Sequence, residues 1–205
     1  MMQIQGAVGS IEFIVEEPEG ASSGVAVICH PHPEGGGSMH NKVVHTLARA
    51  YRDKGITACR FNYRGVGLSE GVYANGIGEL EDTLAVIDFM RERYPQRPLY
   101  LAGFSFGGSV ALKAASIVAD RCVHLTLVAP AIGRYGVDGN EKVYCPVLLI
   151  QGDEDELIAA EDNLEWASRS GSQVKVELLA ETGHFFHRKL VILKKIVEEA
   201  LSLPI

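Results

Sequence analysis

Apolar and β-branched residues gather in short runs at 25–30, 57–62, 98–103, 125–129, 147–151 and 174–179. Between them lie stretches in which apolar residues return every three or four positions, at 42–54, 78–93, 107–119, 161–170 and 187–201. In the last of these, Leu190, Leu193, Val197 and Leu201 share one helical face, while Lys194, Lys195, Glu198 and Glu199 fall mainly on the other. Runs that are apolar throughout suit a parallel sheet covered on both faces, and their alternation with helices places the chain in the α/β class. The beginning of the chain differs: 3–8 and 10–16 alternate apolar and polar residues on either side of Gly9, which predicts an antiparallel hairpin at one edge of the sheet. No linker, repeat or low-complexity tract breaks the order, so 1–205 reads as a single domain.

Composition narrows what such a fold can do. With 19 Lys and Arg against 26 Asp and Glu the net charge is −7, and no basic run is present, which removes the electrostatic footprint of a nucleic-acid or anionic-membrane binder. The N-terminus lacks the basic and apolar regions of a secretory signal, and no apolar run approaches the roughly 20 residues of a membrane span. A soluble, cytoplasmic protein is expected. Cys29, Cys59, Cys122 and Cys145 are scattered without C-x-x-C spacing and read as buried reduced thiols. Glycine alone is in excess, at 22 residues, and its clusters mark where the backbone turns tightly.

Ligands of open parallel sheets bind beyond the carboxyl ends of the strands, so the residues just after each run carry the chemistry. Gly103-Phe104-Ser105-Phe106-Gly107 stands between a strand and a helix, the setting of a nucleophile elbow, with Ser105 at the turn and the Phe106 N–H facing a developing oxyanion. A serine hydroxyl needs a histidine base, and the base needs a carboxylate to hold its tautomer. Four acids follow the run at 147–151. Asp155, in the loop beyond Gly152, is the expected carboxylate, while Asp153 is suited to holding the turn itself. His184, directly after Gly183 in the loop before the last helix, is the expected base; His187 is better placed to open that helix. The chain order Ser105, Asp155, His184 agrees with this type of triad. After the run at 25–30, Pro31 and Pro33 have no N–H, which leaves His32 and Glu34 to donate the second oxyanion hydrogen bond; His32 is chosen.

Two further patterns compete for attention. His30, His32 and His40 could ligate a metal, since H-x-H presents two imidazoles on one side of an extended chain. Arg64-Gly65-Val66-Gly67-Leu68 matches neither a dinucleotide nor a Walker fingerprint and reads as a tight scaffold loop, with Arg64 bridging backbone carbonyls.

These landmarks resemble the α/β-hydrolase superfamily over nearly the whole chain. The similarity rests on Phe61-Asn62-Tyr63-Arg64-Gly65-Val66-Gly67-Leu68-Ser69, on the Gly103–Gly107 elbow, and on His30-Pro31-His32-Pro33 followed by Gly36-Gly37-Ser38-Met39-His40-Asn41-Lys42. The last signature resembles a group of small lidless hydrolases. The resemblance implies an α/β-hydrolase fold, a mostly parallel central sheet flanked by helices on both faces with an antiparallel N-terminal hairpin. It also implies a Ser105, Asp155, His184 triad, and an oxyanion hole from Phe106 and the His30–Glu34 loop. Many lipases and esterases of that superfamily insert a cap where this chain has only 131–144, a glycine-rich polar stretch, so no cap domain is expected. The site should then be shallow and contacted by Tyr73, Phe104, Tyr135 and Phe185. The expected activity is hydrolysis of small or accessible carboxylic esters or thioesters through an acyl-enzyme, without metal or cofactor. A peptidase or aminopeptidase-like hydrolase, and a non-catalytic binding protein on the same fold, are the alternatives.

Overall fold

The apolar runs become strands whose two faces are both covered. The computed structural model describes residues 2–171 and 173–202. Its strands are β1 (Met2–Gln5), β2 (Ser10–Glu16), β3 (Gly24–Cys29), β4 (Ile56–Phe61), β5 (Leu99–Phe104), β6 (Cys122–Val128), β7 (Val147–Gly152) and β8 (Val174–Leu179). Its helices are α1 (Lys42–Asp53), α2 (Ile77–Arg93), α3 (Phe106–Val118), α4 (Ala160–Ser170) and α5 (Leu190–Ala200). The sheet order is β1-β2-β4-β3-β5-β6-β7-β8. β2 is antiparallel to both β1 and β4, and every pairing from β4 to β8 is parallel. This is the α/β-hydrolase fold, with β5 near the middle of the sheet.

Strand parity divides the core. Val25, Val27, Leu99, Leu101, Leu125, Leu127 and Leu149 face α2, α3 and α4, whereas Ala26, Ile28, Tyr100, Ala102, Phe104, Leu148 and Ile150 face α1 and α5. Helix α1 is fixed at its start by Asn41, whose side-chain oxygen accepts the Val43 N–H at 2.9 Å, and it buries Val43, Val44, Leu47, Ala48 and Tyr51 against the sheet. All four cysteines are buried free thiols. No helix among the described residues is long and apolar enough to cross a membrane.

Three elements depart from the expected bounds. The first strand stops at Gln5 because Gly6 donates to the Gly9 carbonyl at 2.8 Å and closes a turn. β6 begins at Cys122, ahead of its apolar run, because Cys122 pairs with Leu99 across an irregularity in the ladder and His124 is buried within the strand. The last helix begins at Leu190, since Phe186 and Arg188 take left-handed φ values of 52° and 63° and hold 186–189 in turns.

Candidate active site

Ser105 occupies the turn between β5 and α3 with φ 55° and ψ −122°, a strained conformation for a residue with a side chain. Two glycines permit it. A Cβ on Gly103 would lie 2.1 Å from the Gly107 carbonyl oxygen, and one on Gly107 would lie 2.4 Å from the carbonyl oxygens of Cys29 and His30. The second contact also seats the first turn of α3 directly on the end of β3, which brings the His30–His32 loop beside Phe106. The Phe106 N–H belongs to a helix's first turn and has no acceptor within that helix.

Ser105 Oγ lies 3.0 Å from His184 Nε2, and His184 Nδ1 lies 2.8 Å and 3.1 Å from the two oxygens of Asp155. The Asp155 side chain is fully buried. Burial alone would raise its pKa, but hydrogen bonds from His184 and from the Ile158 and Leu157 N–H groups outweigh it and hold the carboxyl below its ordinary value. An ionised Asp155 accepts from His184 Nδ1–H, which leaves Nε2 as the acceptor for the Ser105 hydroxyl. The loops that carry the two residues are laced together: the Glu154 N–H donates to the Thr182 carbonyl at 3.1 Å and the Thr182 N–H to Asp153 Oδ1 at 3.3 Å. The Phe104 ring lies under the imidazole at 5.0 Å, and Phe185 meets it edge-on at 5.2 Å.

Sequence reasoning missed the groups behind this relay. Gln151 Nε2 donates to Asp155 Oδ2 at 3.1 Å, and Asn163 Nδ2 donates to Gln151 Oε1 at 2.8 Å; both residues are fully buried. Glu156 accepts the His184 backbone N–H at 3.0 Å. The one available signal was a glutamine closing an otherwise apolar strand.

The loop after β3 is equally constrained. His30 is fully buried, and that burial pushes its pKa down to about 3. It is neutral, with Nδ1–H donating to the Pro31 carbonyl at 2.6 Å and Nε2 accepting the Tyr63 N–H at 3.1 Å. Arg60 donates to the Met39 carbonyl at 2.6 Å, and Asn62 Oδ1 accepts the Met39 N–H at 2.8 Å. The His32 carbonyl accepts from the Gly35 and Gly37 N–H groups at 3.1 Å and 2.9 Å, around a short 3-10 turn at Pro33–Gly35. The His32 ring packs on Phe106, Tyr73 and Tyr135, and its Nε2 is 2.9 Å from the Tyr73 hydroxyl.

Of the expected substrate contacts, Tyr73 and Tyr135 are half-buried beside Phe106, and Phe185 is 46% exposed at the rim. Phe104 does not reach the surface. Its parity in β5 points it at the α1 and α5 face, where it packs on Phe186 and supports His184 from below. The three histidines of the loop do not converge: His30 is engaged inside the fold, His32 faces Tyr73 and His40 is exposed. Among the described residues no three His, Cys, Asp or Glu side chains gather as metal ligands would. Arg64 does not bridge carbonyls. Its guanidinium grips the buried Asp82 carboxylate at 2.8 Å and 3.1 Å and reaches Glu81 at 3.0 Å, because a buried cation needs a compensating charge. Residues 129–146, between β6 and β7, carry no helix or strand.

A parallel sheet with a serine on its central strand-to-helix turn, and a histidine and a carboxylate on the loops after its last two strands, is the architecture of the α/β serine hydrolases. The chain belongs to the serine aminopeptidase S33 family, whose model matches residues 20–136, more than half its length. An α/β serine hydrolase homologue from Coxiella burnetii is 38% identical to it, with a TM-score of 0.92 over 98% of this chain and 96% of that one. A serine hydrolase without a lid from Xanthomonas campestris is also 38% identical, with a TM-score of 0.92 over 98% and 92% of the two chains. An uncharacterised protein of Rickettsia prowazekii (strain Madrid E) is 31% identical over 96% of this chain and 86% of its own length.

Proposed function

We propose that this protein hydrolyses carboxylic esters or thioesters of small, accessible substrates through an acyl-enzyme, with Ser105 as nucleophile, His184 as general base and acid, and Asp155 as the carboxylate that orients His184. The observation that carries this reading is the unbroken relay from Ser105 Oγ to His184 at 3.0 Å and from His184 to Asp155 at 2.8 Å, ending on a strained turn at a helix N-terminus. Ser105 Oγ bonds to the acyl carbon while its proton passes to His184 Nε2. The tetrahedral oxyanion is received by the Phe106 N–H and the His32 N–H. The bond to the leaving oxygen or sulfur breaks as His184 returns the proton to it. Water then attacks the acyl-Ser105, giving its proton to His184, and the acid leaves as Ser105 Oγ takes that proton back. Tyr73, Tyr135 and Phe185 border the acyl and leaving groups. The open edge left by the short 129–146 connection favours substrates that need no enclosing lid.

The family's description favours a second reading, an aminopeptidase-like hydrolase using the same triad. Aminopeptidases must hold a substrate ammonium, and the two carboxylates that touch His184, Asp155 and Glu156, are already engaged by its ring and its backbone N–H. Turnover of p-nitrophenyl esters, acyl thioesters and aminoacyl-anilides decides between the two. Ester or thioester turnover is expected to exceed anilide turnover and to fall at least about 10⁴-fold in Ser105→Ala. Turnover that survives Ser105→Ala overturns the nucleophile, and a wild-type serine that resists a fluorophosphonate probe points instead to a binding protein.

A further inference from the structure

One face of α1, from its first residue Lys42 into its second half at Arg49, carries a feature that the hydrolysis itself does not use. Lys42, His45 and Arg49 stand at i, i+3 and i+7, so they line one face of the helix, with Lys42 and Arg49 about 10 Å apart along its axis. That face borders a groove of about 560 Å³ whose other wall is the start of α5, with Leu190, Val191 and Lys194. Among the described residues no carboxylate lines the groove. Lys194 is paired with Asp53 and Glu198, whereas Lys42 and Arg49 form no ion pair among the described residues. Partial burial above all, with smaller contributions from the cations Arg60, Arg49 and Arg52 and an opposing pull from Glu16, pushes the His45 pKa below its ordinary value. This basic groove lies on a chain of net charge −7.

Its position ties it to the site. β3, β5 and β8 run in the same direction through the parallel part of the sheet, so their carboxyl ends share one edge. α1 follows the loop after β3, and α5 follows the loop after β8 that carries His184; both helices therefore begin at the edge where Ser105 stands. The turns closed by Phe186 N–H to the Gly183 carbonyl and Lys189 N–H to the Phe186 carbonyl keep the start of α5 close to His184.

We propose that this groove holds a phosphate-bearing leaving group of the substrate, an inference that rests on the esterase and thioesterase reading above. Two cations some 10 Å apart, neither in an ion pair among the described residues, fit a group with phosphate charge spread along its length better than a single carboxylate, and Arg49 supplies the planar fork that phosphate accepts. The exposed Val191 and the half-buried Leu190 offer apolar contact to the hydrocarbon that joins such a group to the reacting carbonyl.

The test compares three thioesters of the same acyl group: S-acetyl-N-acetylcysteamine, which has no phosphate, S-acetyl-4′-phosphopantetheine, which has one, and acetyl-coenzyme A, which adds the nucleotide phosphates. In the wild type, kcat/KM is expected to be at least tenfold higher for a phosphorylated thioester than for the neutral one, and the ratio should fall with added salt. An equal rise for both phosphorylated thioesters assigns the groove to the single phosphate, and a rise confined to acetyl-coenzyme A assigns it to the nucleotide. Lys42→Glu/Arg49→Glu should bring the ratio near or below one, Lys42→Gln/Arg49→Gln should lower it less, and Arg91→Glu/Arg97→Glu at the opposite edge should keep it. A wild-type ratio near one, or a ratio that survives reversal of Lys42 and Arg49, overturns the proposal. Failure of the serine chemistry reads differently, as absent turnover of all three thioesters. In that case calorimetric binding of coenzyme A to Ser105→Ala still decides the groove: binding weakened at least tenfold by Lys42→Glu/Arg49→Glu supports it, and absent or unaffected binding overturns it.

Discussion

Gln151 Nε2 lies 3.1 Å from Asp155 Oδ2, the same oxygen that stands 2.8 Å from His184 Nδ1. The carboxylate is thus held from behind by an amide that is itself held by Asn163. Gln151→Leu removes that hold while filling the space. Loss of orientation should lower kcat, up to about a hundredfold, with little change in KM. Stability should fall by about 1–3 kcal/mol as the buried Asn163 amide loses its acceptor. Adding Asn163→Leu should recover stability in urea unfolding without recovering kcat, which separates positioning from packing.

Asp155→Asn keeps the shape of the carboxylate and removes its charge. The amide can donate to His184 Nδ1, turning the imidazole into the tautomer whose Nε2 bears the proton and cannot accept from Ser105. A fall of about 10⁴-fold in kcat is expected, with the fold retained by circular dichroism.

Stability should depend on pH through two buried histidines outside the relay. Burial holds His30 at about 3 and His124 at about 4, against an ordinary 6.5. Both folded values lie below the unfolded one, so as pH falls below 6.5 the unfolded chain gains protons that the native state refuses. Stability should therefore drop between about pH 6.5 and 4, with a slope approaching about 2.7 kcal/mol per pH unit. Asp155, depressed by its hydrogen bonds, adds its own loss only below about pH 4. Urea midpoints measured at each pH check this, and His124→Asn should roughly halve the slope.

Arg64 and Asp82 expose only 6% and 1% of their side chains. Asp82→Ala leaves the guanidinium with Glu81 alone, and a loss of about 3–5 kcal/mol is expected in denaturant unfolding. Arg64→Met/Asp82→Leu removes both charges and should recover much of that loss.

The sheet, its helices and its antiparallel edge could be read from hydrophobic period, because burial imposes a repeat that each strand and helix displays on its own. Ser105, Asp155 and His184 were legible for a related reason: each follows an apolar run, and Gly103, Gly107, Gly152 and Gly183 mark turns that face the carboxyl edge of a parallel sheet. Residues that act through a distant partner leave no such local repeat. Gln151 and Asn163 matter only because β7 and α4 close on each other, and Arg64 meets Asp82 only once α2 packs beside the loop after β4. Phe104 was misread as a substrate contact, although the period-two parity of β5 already turned it toward the α1 and α5 face. The basic groove has the same origin: Lys42, His45 and Arg49 form a stripe in the sequence, but the packing of α1 against α5 decides that the stripe becomes the wall of a groove at the edge where Ser105 stands. Hydrophobic period is a property of neighbouring residues, whereas a hydrogen-bond partner or a charged wall depends on which distant surfaces the closed sheet brings within a few ångströms.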